Sequence, residues 1–441
     1  MVDNINGCTH SRQYTRFSQQ TWLRPHFTYQ SCARVEYAAF VERHLTPFVR
    51  IKKEFLDHFS DYDFGFRLIP YSPQQVIDSR PPRMRKRYTA AFKLPLDKRS
   101  FTVKMFQKNE KMEYKDYVLD DKGQPIRKQK APRAIQYRSG AATARLAQFT
   151  IPYEHSLAWE PVDDNFGFPI TTKGRNPLQV GELIRSCYEA SNNSDIWLLD
   201  HTAFDSSIQQ GHLILEYLVM AKTFDYDPRL YELYMAQMQN TVYSKSGIKV
   251  KCKGRRMSGD ANTSSGNSTI NYMVLRYCFP DSIILVNGDD SIIFGGTMKH
   301  NPEDCGFRTK IEKVTDFRDI SYCQSQPVLT HLGWCMMRDP IRAVSRMNHK
   351  INTCYDPDWF MTVGVGESLA NPCDPVMQTL AKHFKNKGLN GRYRLHLREY
   401  RHMMSMREVH LPTERDIEQY AATFRISQGT IRSLQRMIES I

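Results

Sequence analysis

The stretch SIILVNGDDSIIF, residues 282–294, sets two apolar runs on either side of Asn287-Gly288-Asp289-Asp290. Two β-branched-rich runs with Asn-Gly between them predict a strand, a tight turn and a strand. The turn then carries two adjacent carboxylates at its tip. Unpaired carboxylates side by side are costly to bury, so such a tip needs solvent or cations around it. Hard cations such as Mg²⁺ are held through one or two carboxylates plus substrate phosphates. A merely solvated Asn-Gly hairpin fits the same residues, and the upstream sequence decides between the two.

Upstream, Ile196-Trp197-Leu198-Leu199 reads as a short buried strand running into Asp200-His201-Thr202-Ala203-Phe204-Asp205. Sheets of α/β type place their sites where a strand ends in a loop. Asp200 meets the Asp289/Asp290 tip if the two strands are neighbours, and Asp205 then faces the same cleft. The competing role for Asp205 is N-cap of a helix over Ser206 to Met220. Between the acids lies RRMSGDANTSSGN, residues 255–267, a Gly/Ser/Thr/Asn loop opening a helix. Such loops offer backbone N–H groups, hydroxyls and amides to a phosphate or a sugar, although many do no more than cap a helix. Three acidic positions, a polar loop and a basic strand together suggest two-metal phosphoryl or nucleotidyl transfer.

The rest of the chain sets the class. Its 441 residues suffice for a large core and two or three subdomains. Hydrophobic content of 41% and charged content of 24% are those of a globular protein. Lys+Arg 61 against Asp+Glu 47 leaves +14, which points to a polyanionic partner, nucleic acid ahead of anionic membrane. The ten cysteines form no CxxC pair and no Cys/His metal spacing, the pattern of a reduced intracellular protein. No apolar run is long enough to span a membrane and the N-terminus has no signal-peptide core, so membrane association is expected only through partners or basic surface.

Local patterns predict a helical stretch over Ala33 to Phe59 and a basic, Pro-containing loop over Arg80 to Arg87. Residues 101–145 read as strand, turn at Asp121-Lys122-Gly123, and strand, with basic side chains on one face. Residues 161–177 read as loop. Helices are predicted over Gln179 to Ala190, Gly211 to Phe224, Pro228 to Asn240 and Ser264 to Cys278, with short strands and turns over 306–346 and helices thereafter. No internal repeat or low-complexity linker is seen. The segment Thr413 to Ile438 has a helix-turn-helix pattern.

In order along the chain, DHTAFD, RMSGDANTSSGN and VNGDD resemble motifs A, B and C of viral RNA-dependent RNA polymerases, and the wording is closest to the tombusvirus-like group of positive-strand RNA viruses. KMFQKNEK (104–111) and KQKAPRAIQYRS (128–139) resemble its basic fingers segments, including motif F. PITTKGRNPLQVGELI (169–184) resembles its segment before motif A. CGFRTKIEK (305–313) resembles motif D, and DISYCQSQPV (319–328) with LGWCMMRDPIRAVSRM (332–347) resembles motif E and the start of the thumb. The resemblance covers roughly residues 95–350. Gly-Asp-Asp alone is a weak signal; the ordered set is specific. His201-Thr202-Ala203 and Ser206 depart from the commoner motif A, which argues for a relative of the plant tombusviruses rather than a close member.

The resemblance implies an α+β right hand with an antiparallel palm sheet: fingers and N-terminal segment over 1–165, palm over 166–211 and 256–335, a fingers insertion over 212–255, and a thumb over 336–441. It implies RNA-templated RNA synthesis that replicates a positive-strand RNA genome, with primer-independent initiation. Asp200, Asp289 and Asp290 match the carboxylates that hold two Mg²⁺ or Mn²⁺ ions. Asp205, Ser258, Thr263 and Asn267 match the network that senses the ribose 2′-OH. Lys130 and Arg133 match motif F side chains on the incoming triphosphate. Arg338 and Arg346 match basic positions that hold the first nucleotide's triphosphate, unless they are thumb arginines in ion pairs. Lys310 or Lys313 matches the motif D general acid, unless each is a solvated strand end. The expected partners are single-stranded template and nascent RNA, NTPs, and viral or host replication proteins. The expected location is host cytoplasm, at membrane-bound replication complexes. In such relatives the C-terminal helix pair packs in the thumb, in competition with a DNA-binding role. A basic non-enzymatic RNA-binding or capsid protein would explain the charge but not the ordered acids, and an inactive scaffold would not need all three.

Overall fold

The four central strands run, in order across the sheet, Ile283–Asn287, Asp290–Phe294, Ile196–His201 and Thr309–Val314. Every neighbouring pair is antiparallel. The computed structural model describes residues 11–14, 26–29, 32–110, 112–113, 117–119, 125–127, 131–347, 356–393, 406 and 408–440. The two apolar runs of the hairpin are continuous rather than alternating because both faces of this sheet are covered. Ile284, Val286 and Ile293 enter the main core with the helices Gly140–Trp159, Gln210–Thr223 and Thr263–Cys278. Ile283, Leu285, Ile292 and Phe294 point the other way, against Ile184 and Cys187 of the helix Pro177–Ala190. Mixed helices with antiparallel sheets make this an α+β fold, as expected.

A second four-stranded sheet is ordered Lys249–Lys253, Gln239–Ser244, Val103–Gln107 and Ala134–Tyr137. Its middle pair, Val103–Gln107 with Gln239–Ser244, is parallel, and the outer pairs are antiparallel. The strand–turn–strand predicted in 101–145 is met by two nested antiparallel pairs, Val103–Gln107 with Ala134–Tyr137 and, flanking the predicted turn, Tyr117–Leu119 with Pro125–Arg127; the turn residues 121–123 themselves lie outside the described residues. Phe40, Val103, Met105, Val242 and Met257 form a small separate core beneath this sheet. Against the hairpin of Ser325–Thr330 and Gly333–Arg338, a further core gathers Val328 and Cys335 of the hairpin with Met377, Leu380, Ile431 and Leu434 of the C-terminal helices.

One clamp ties this helical region to the hairpin. Thr413 N-caps the helix Glu414–Phe424, and the buried Asp416 carboxylate returns to accept from the Thr413 N–H at 2.7 Å. The same carboxylate accepts from the His331 backbone N–H at 2.8 Å and from its ring Nδ1 at 2.6 Å. Cys373 Sγ lies 3.8 Å from that ring nitrogen. Three N–H groups satisfy both oxygens of Asp416, so its burial is compensated by hydrogen bonds.

Several sequence expectations shift. Arg80 to Arg87 is not a loop: Pro82 opens the helix Pro82–Lys93, because proline at the first helical position gives up an N–H that has no partner there anyway. Helix over Ala33 to Phe59 is interrupted, and resumes as Lys53–Phe59. The 20-residue helix Gly140–Trp159 had no periodic signal because it is buried nearly all round. The C-terminal pair, Glu414–Phe424 and Gln428–Glu439, does form two helices about a left-handed Arg425. Its second helix buries Ile431, Leu434 and Ile438 in that core, so its apolar face is packed. Among the described residues no helix is long and apolar enough to cross a membrane.

Truncating Ile431, which is fully buried, to Ala should cost about 2–5 kcal/mol. A lowered thermal midpoint checks this. An unchanged midpoint would mean that the last helix does not pack as described.

Candidate active site

The acidic turn is set one residue later than the Asn-Gly reading. Asn287 pairs with Asp290, which leaves Gly288 and Asp289 as the two central residues. Gly288 has φ +69°, and Asp289 does not share the positive φ; a positive φ at the first central position alone is the pattern of a hairpin turn with glycine there. Asn271 Nδ2 donates to the Gly288 carbonyl at 2.9 Å, and the Gly288 N–H donates to Ser268 Oγ at 2.9 Å. The helix Thr263–Cys278 thus grips the turn from behind. Asp289 stands at the tip, and Asp290 is the first residue of the returning strand.

That returning strand pairs with the one carrying Asp200: Ser291 lies opposite Leu199, so the next step brings Asp290 beside Asp200. The three carboxylates predicted as metal ligands therefore share one end of one sheet. Asp200, Asp289 and Asp290 all reach solvent, with protein crowding the latter two from the sides. Burial raises the Asp289 carboxyl above its ordinary range, and the Asp200 charge adds to this. Burial, then Asp289 and Asp200, push Asp290 up to about 6, against the Cys323 thiol that donates to it. Mutual repulsion with few opposing charges is the signature of a site that takes cations. The donor set is hard oxygen only, which fits Mg²⁺ or Mn²⁺.

Asp205 is no N-cap. It lies in the four-residue helix Phe204–Ser207, and Gln209 caps the next helix, Gln210–Thr223. Its Oδ1 accepts from Asn267 Nδ2 at 2.7 Å. Burial raises its carboxyl, opposed by that hydrogen bond and by Arg256. Of the four residues matched to sugar sensing, Asp205 and Asn267 thus meet directly. Thr263 Oγ1 lies 3.0 Å from the Met257 carbonyl and 2.9 Å from that of Asp260, which closes the loop. Ser258 faces the second sheet instead, donating to Gln136 Oε1 at 2.8 Å.

Arg133 lies within the field of Asp289 and Asp205 and is held by both oxygens of Glu110. Lys130 lies outside the described residues. Lys310 is paired in register with Asp200 and reaches Glu312 at 2.9 Å. Lys313, three residues along the same strand, is on the opposite face, paired with Asp195 at 2.7 Å. Arg338 is engaged by Glu367 and by Asn371 Oδ1 at 2.8 Å. Arg346 sits on the helix Pro340–Met347.

Buried polar residues to which the sequence assigned no role stand behind these acids. His201 donates through Nε2 to Asn271 Oδ1 at 2.9 Å and meets Thr309 Oγ1 at 2.7 Å. Burial drops its imidazole to about 4, so it is neutral. Asn271 therefore connects the Asp200 strand to the acidic turn. Glu216 and Arg256 form an ion pair beneath Asn267 with no exposed side-chain surface. A signal for Glu216 existed: it is the one charge in the apolar run HLILEYLVMA, residues 212–221.

Residues 3–433 match a protein-family model described as "Viral RNA dependent RNA polymerase". The chain belongs to the viral RNA-dependent RNA polymerase family. It is 30% identical over 305 residues to the RNA-directed RNA polymerase of Tobacco necrosis virus (strain A), covering 64% of this chain and 41% of that protein. Against the RNA-directed RNA polymerase of Carnation mottle virus it is 26% identical over 277 residues, 58% of this chain and 36% of the other. Against that of Melon necrotic spot virus it is 27% identical over 334 residues, 70% of this chain and 41% of the other. The chain thus spans about two fifths of the length of these curated relatives. The polymerase family and the acidic cleft agree with one another.

Because protons and cations compete for Asp289 and Asp290, whose carboxyls are raised, Mn²⁺ affinity should fall as pH drops from about 7.5 through about 6. Electron paramagnetic resonance of free Mn²⁺ reads this. An affinity that does not change over that range would contradict the crowded-carboxylate description.

Proposed function

We propose that the chain is the catalytic part of a viral RNA-directed RNA polymerase that copies RNA into RNA by two-metal nucleotidyl transfer, with primer-independent initiation. The observation that carries this is the convergence of Asp200, Asp289 and Asp290 at one end of the central sheet, inside a family-wide match. In this reading residues 166–211 and 256–335 are the palm, 1–165 and 212–255 the fingers, and 336–441 the thumb. The separate core of Val363, Met377, Leu380, Ile431 and Leu434 supports the thumb in that division, while one main core joins the fingers helices to the palm strands.

Two Mg²⁺ or Mn²⁺ ions, held by Asp200 and Asp289 with Asp290 assisting, would supply charge neutralisation of the triphosphate and activation of the attacking hydroxyl. The 3′-hydroxyl of the nascent RNA gives up its proton to solvent, and its oxygen bonds to the α-phosphorus as the bond to pyrophosphate breaks. Arg133 exchanges Glu110 for the triphosphate, a bidentate contact that a guanidinium suits. Lys310, across from Asp200, donates the proton that pyrophosphate takes up, a role for which Lys313 faces the wrong way. Asp205 accepts from the 2′-OH. Template RNA has basic surface to follow: Arg83, Lys86 and Arg87 on the helix Pro82–Lys93, and Lys104, Lys249, Lys251 and Lys253 on the second sheet, are all exposed. Replication proteins, and membranes reached through them in the host cytoplasm, complete the reading.

Losing either main metal ligand removes several kcal/mol of transition-state stabilisation, so Asp200→Ala and Asp289→Ala should cut labelled NTP incorporation about 10³-fold or more. The assay is the purified chain on single-stranded RNA with Mg²⁺ or Mn²⁺. Near-parental synthesis by either variant defeats the assignment.

A role for Arg338 in holding the initiating triphosphate requires it to leave Glu367. Arg338→Ala and Arg346→Ala should then reduce unprimed synthesis about tenfold more than extension of an annealed primer, because only initiation uses that contact. Equal losses in the two assays would make both arginines structural.

A further inference from the structure

Beneath the candidate sugar-sensing pair lies a run of buried polar groups. Glu216, on the helix Gln210–Thr223, and Arg256, in the loop before the helix Thr263–Cys278, form an ion pair with 0% side-chain exposure on either partner. Glu216 Oε1 also accepts from Tyr234 OH at 2.8 Å and from Asn262 Nδ2 at 2.7 Å. Arg256 Nε donates to Asn267 Oδ1 at 2.9 Å, and Asn267 Nδ2 donates to Asp205 Oδ1 at 2.7 Å. The backbone closes the loop, with the Arg256 N–H donating to the Asp205 carbonyl at 2.9 Å. The helix is pressed onto the pair: a Cβ at Gly266 would lie 2.2 Å from Glu216 Oε1 and 2.7 Å from Arg256 Nη2.

These contacts leave Asn267 no choice of orientation. A guanidinium only donates and a carboxylate only accepts. With the amide flipped, its NH₂ would face Arg256 and its oxygen would face Asp205, two repulsive contacts in place of two hydrogen bonds. Arg256 therefore fixes which end of Asn267 meets Asp205. Glu216 in turn holds the guanidinium and balances its charge, so that Arg256 is not drawn onto Asp205 itself. One oxygen of Asp205 is occupied by the amide and the other is left to meet a ligand.

We propose that the buried Glu216–Arg256 pair is the positioning element for sugar selection: by locking the Asn267 amide, it sets the oxygen of Asp205 that accepts from the 2′-OH of the incoming ribonucleotide. This rests on the reading of Asp205 as the sugar sensor. A site built to hydrogen-bond a hydroxyl rejects an analogue lacking it only while its own polar groups are held in place. With the lock gone, the amide and carboxylate can pair elsewhere and the penalty on a deoxyribonucleotide falls. Neither Glu216 nor Arg256 touches the substrate in this scheme.

The test is single-nucleotide incorporation of GTP and dGTP opposite template C by the full chain. Two variants probe the lock. Arg256→Met with Glu216→Gln removes both charges together and keeps an acceptor for Tyr234 and Asn262. Arg256→Lys keeps the charge and loses the Nε donor to Asn267. The expected result is a GTP-to-dGTP ratio of kcat/KM reduced about tenfold or more, with the thermal midpoint close to the parent's for at least one variant. A merely structural role would lower both rates together and leave the ratio alone. Asp205→Asn is run in parallel. If Asp205→Asn lowers the ratio while the folded lock variants do not, the positioning role is overturned and the sugar-sensor reading stands. If Asp205→Asn itself leaves the ratio at the parental value, the sensor reading fails and the positioning role fails with it. Should the double variant not fold, Arg256→Lys alone decides between these outcomes.

Discussion

Like charges crowded at one end of a sheet are the constraint on which the rest of the structure depends. Asp200, Asp289 and Asp290 repel each other, and burial, with that repulsion added to it, raises the Asp289 and Asp290 carboxyls. Only a rigid backbone keeps them together without a cation. The antiparallel register brings Asp290 beside Asp200. The glycine turn lifts Asp289 to the tip. Asn271 and Ser268 hold the turn by its backbone. Apolar layers on both faces of the sheet then fix the strands that carry the acids. Stability is given up at this cleft and recovered in the cores, a division common at functional sites.

Charge is treated in the opposite way just beneath. Arg256 and Glu216 are wholly buried, and a pair of this kind gives little net stability, although removing one partner costs about 3–5 kcal/mol. Such a pair is better explained by the specificity of arrangement it imposes than by energy. Its neighbours agree: Asn262, Gln237, Tyr234 and Asn267 all attach to it directly or through one another. The acids at the surface stay exposed to take cations; the buried pair is closed and shapes what stands above it.

Much of this was legible in the sequence, for definable reasons. The hairpin at 282–294 and the strand at 196–199 announced themselves because strands with hydrophobic runs and polar ends are short-range features. Their adjacency was only a condition in the sequence and is met by the register. Asp205 kept two readings in the sequence, sugar sensor and helix cap, because capping and site residues use the same side chains, and only the contact with Asn267 separates them. Ser258 was grouped with the sugar sensors by motif position, yet its hydroxyl is tied to Gln136 across 122 residues of chain. Glu216 was hidden because an isolated acid in an apolar helix has no visible partner until Arg256 folds against it. The same limit explains Pro82: two prolines in a basic run suggested a loop, while their position at a helix start favours the helix.

The central claim, that the acidic end of the sheet is built to hold divalent cations, is tested most directly by locating the ions. Crystals of the chain soaked in Mn²⁺ with a nucleoside triphosphate and RNA should give anomalous scattering peaks between Asp200 and Asp289, with Asp290 adjacent. Mn²⁺ bound elsewhere on the protein, with none between those two carboxylates, would contradict the account.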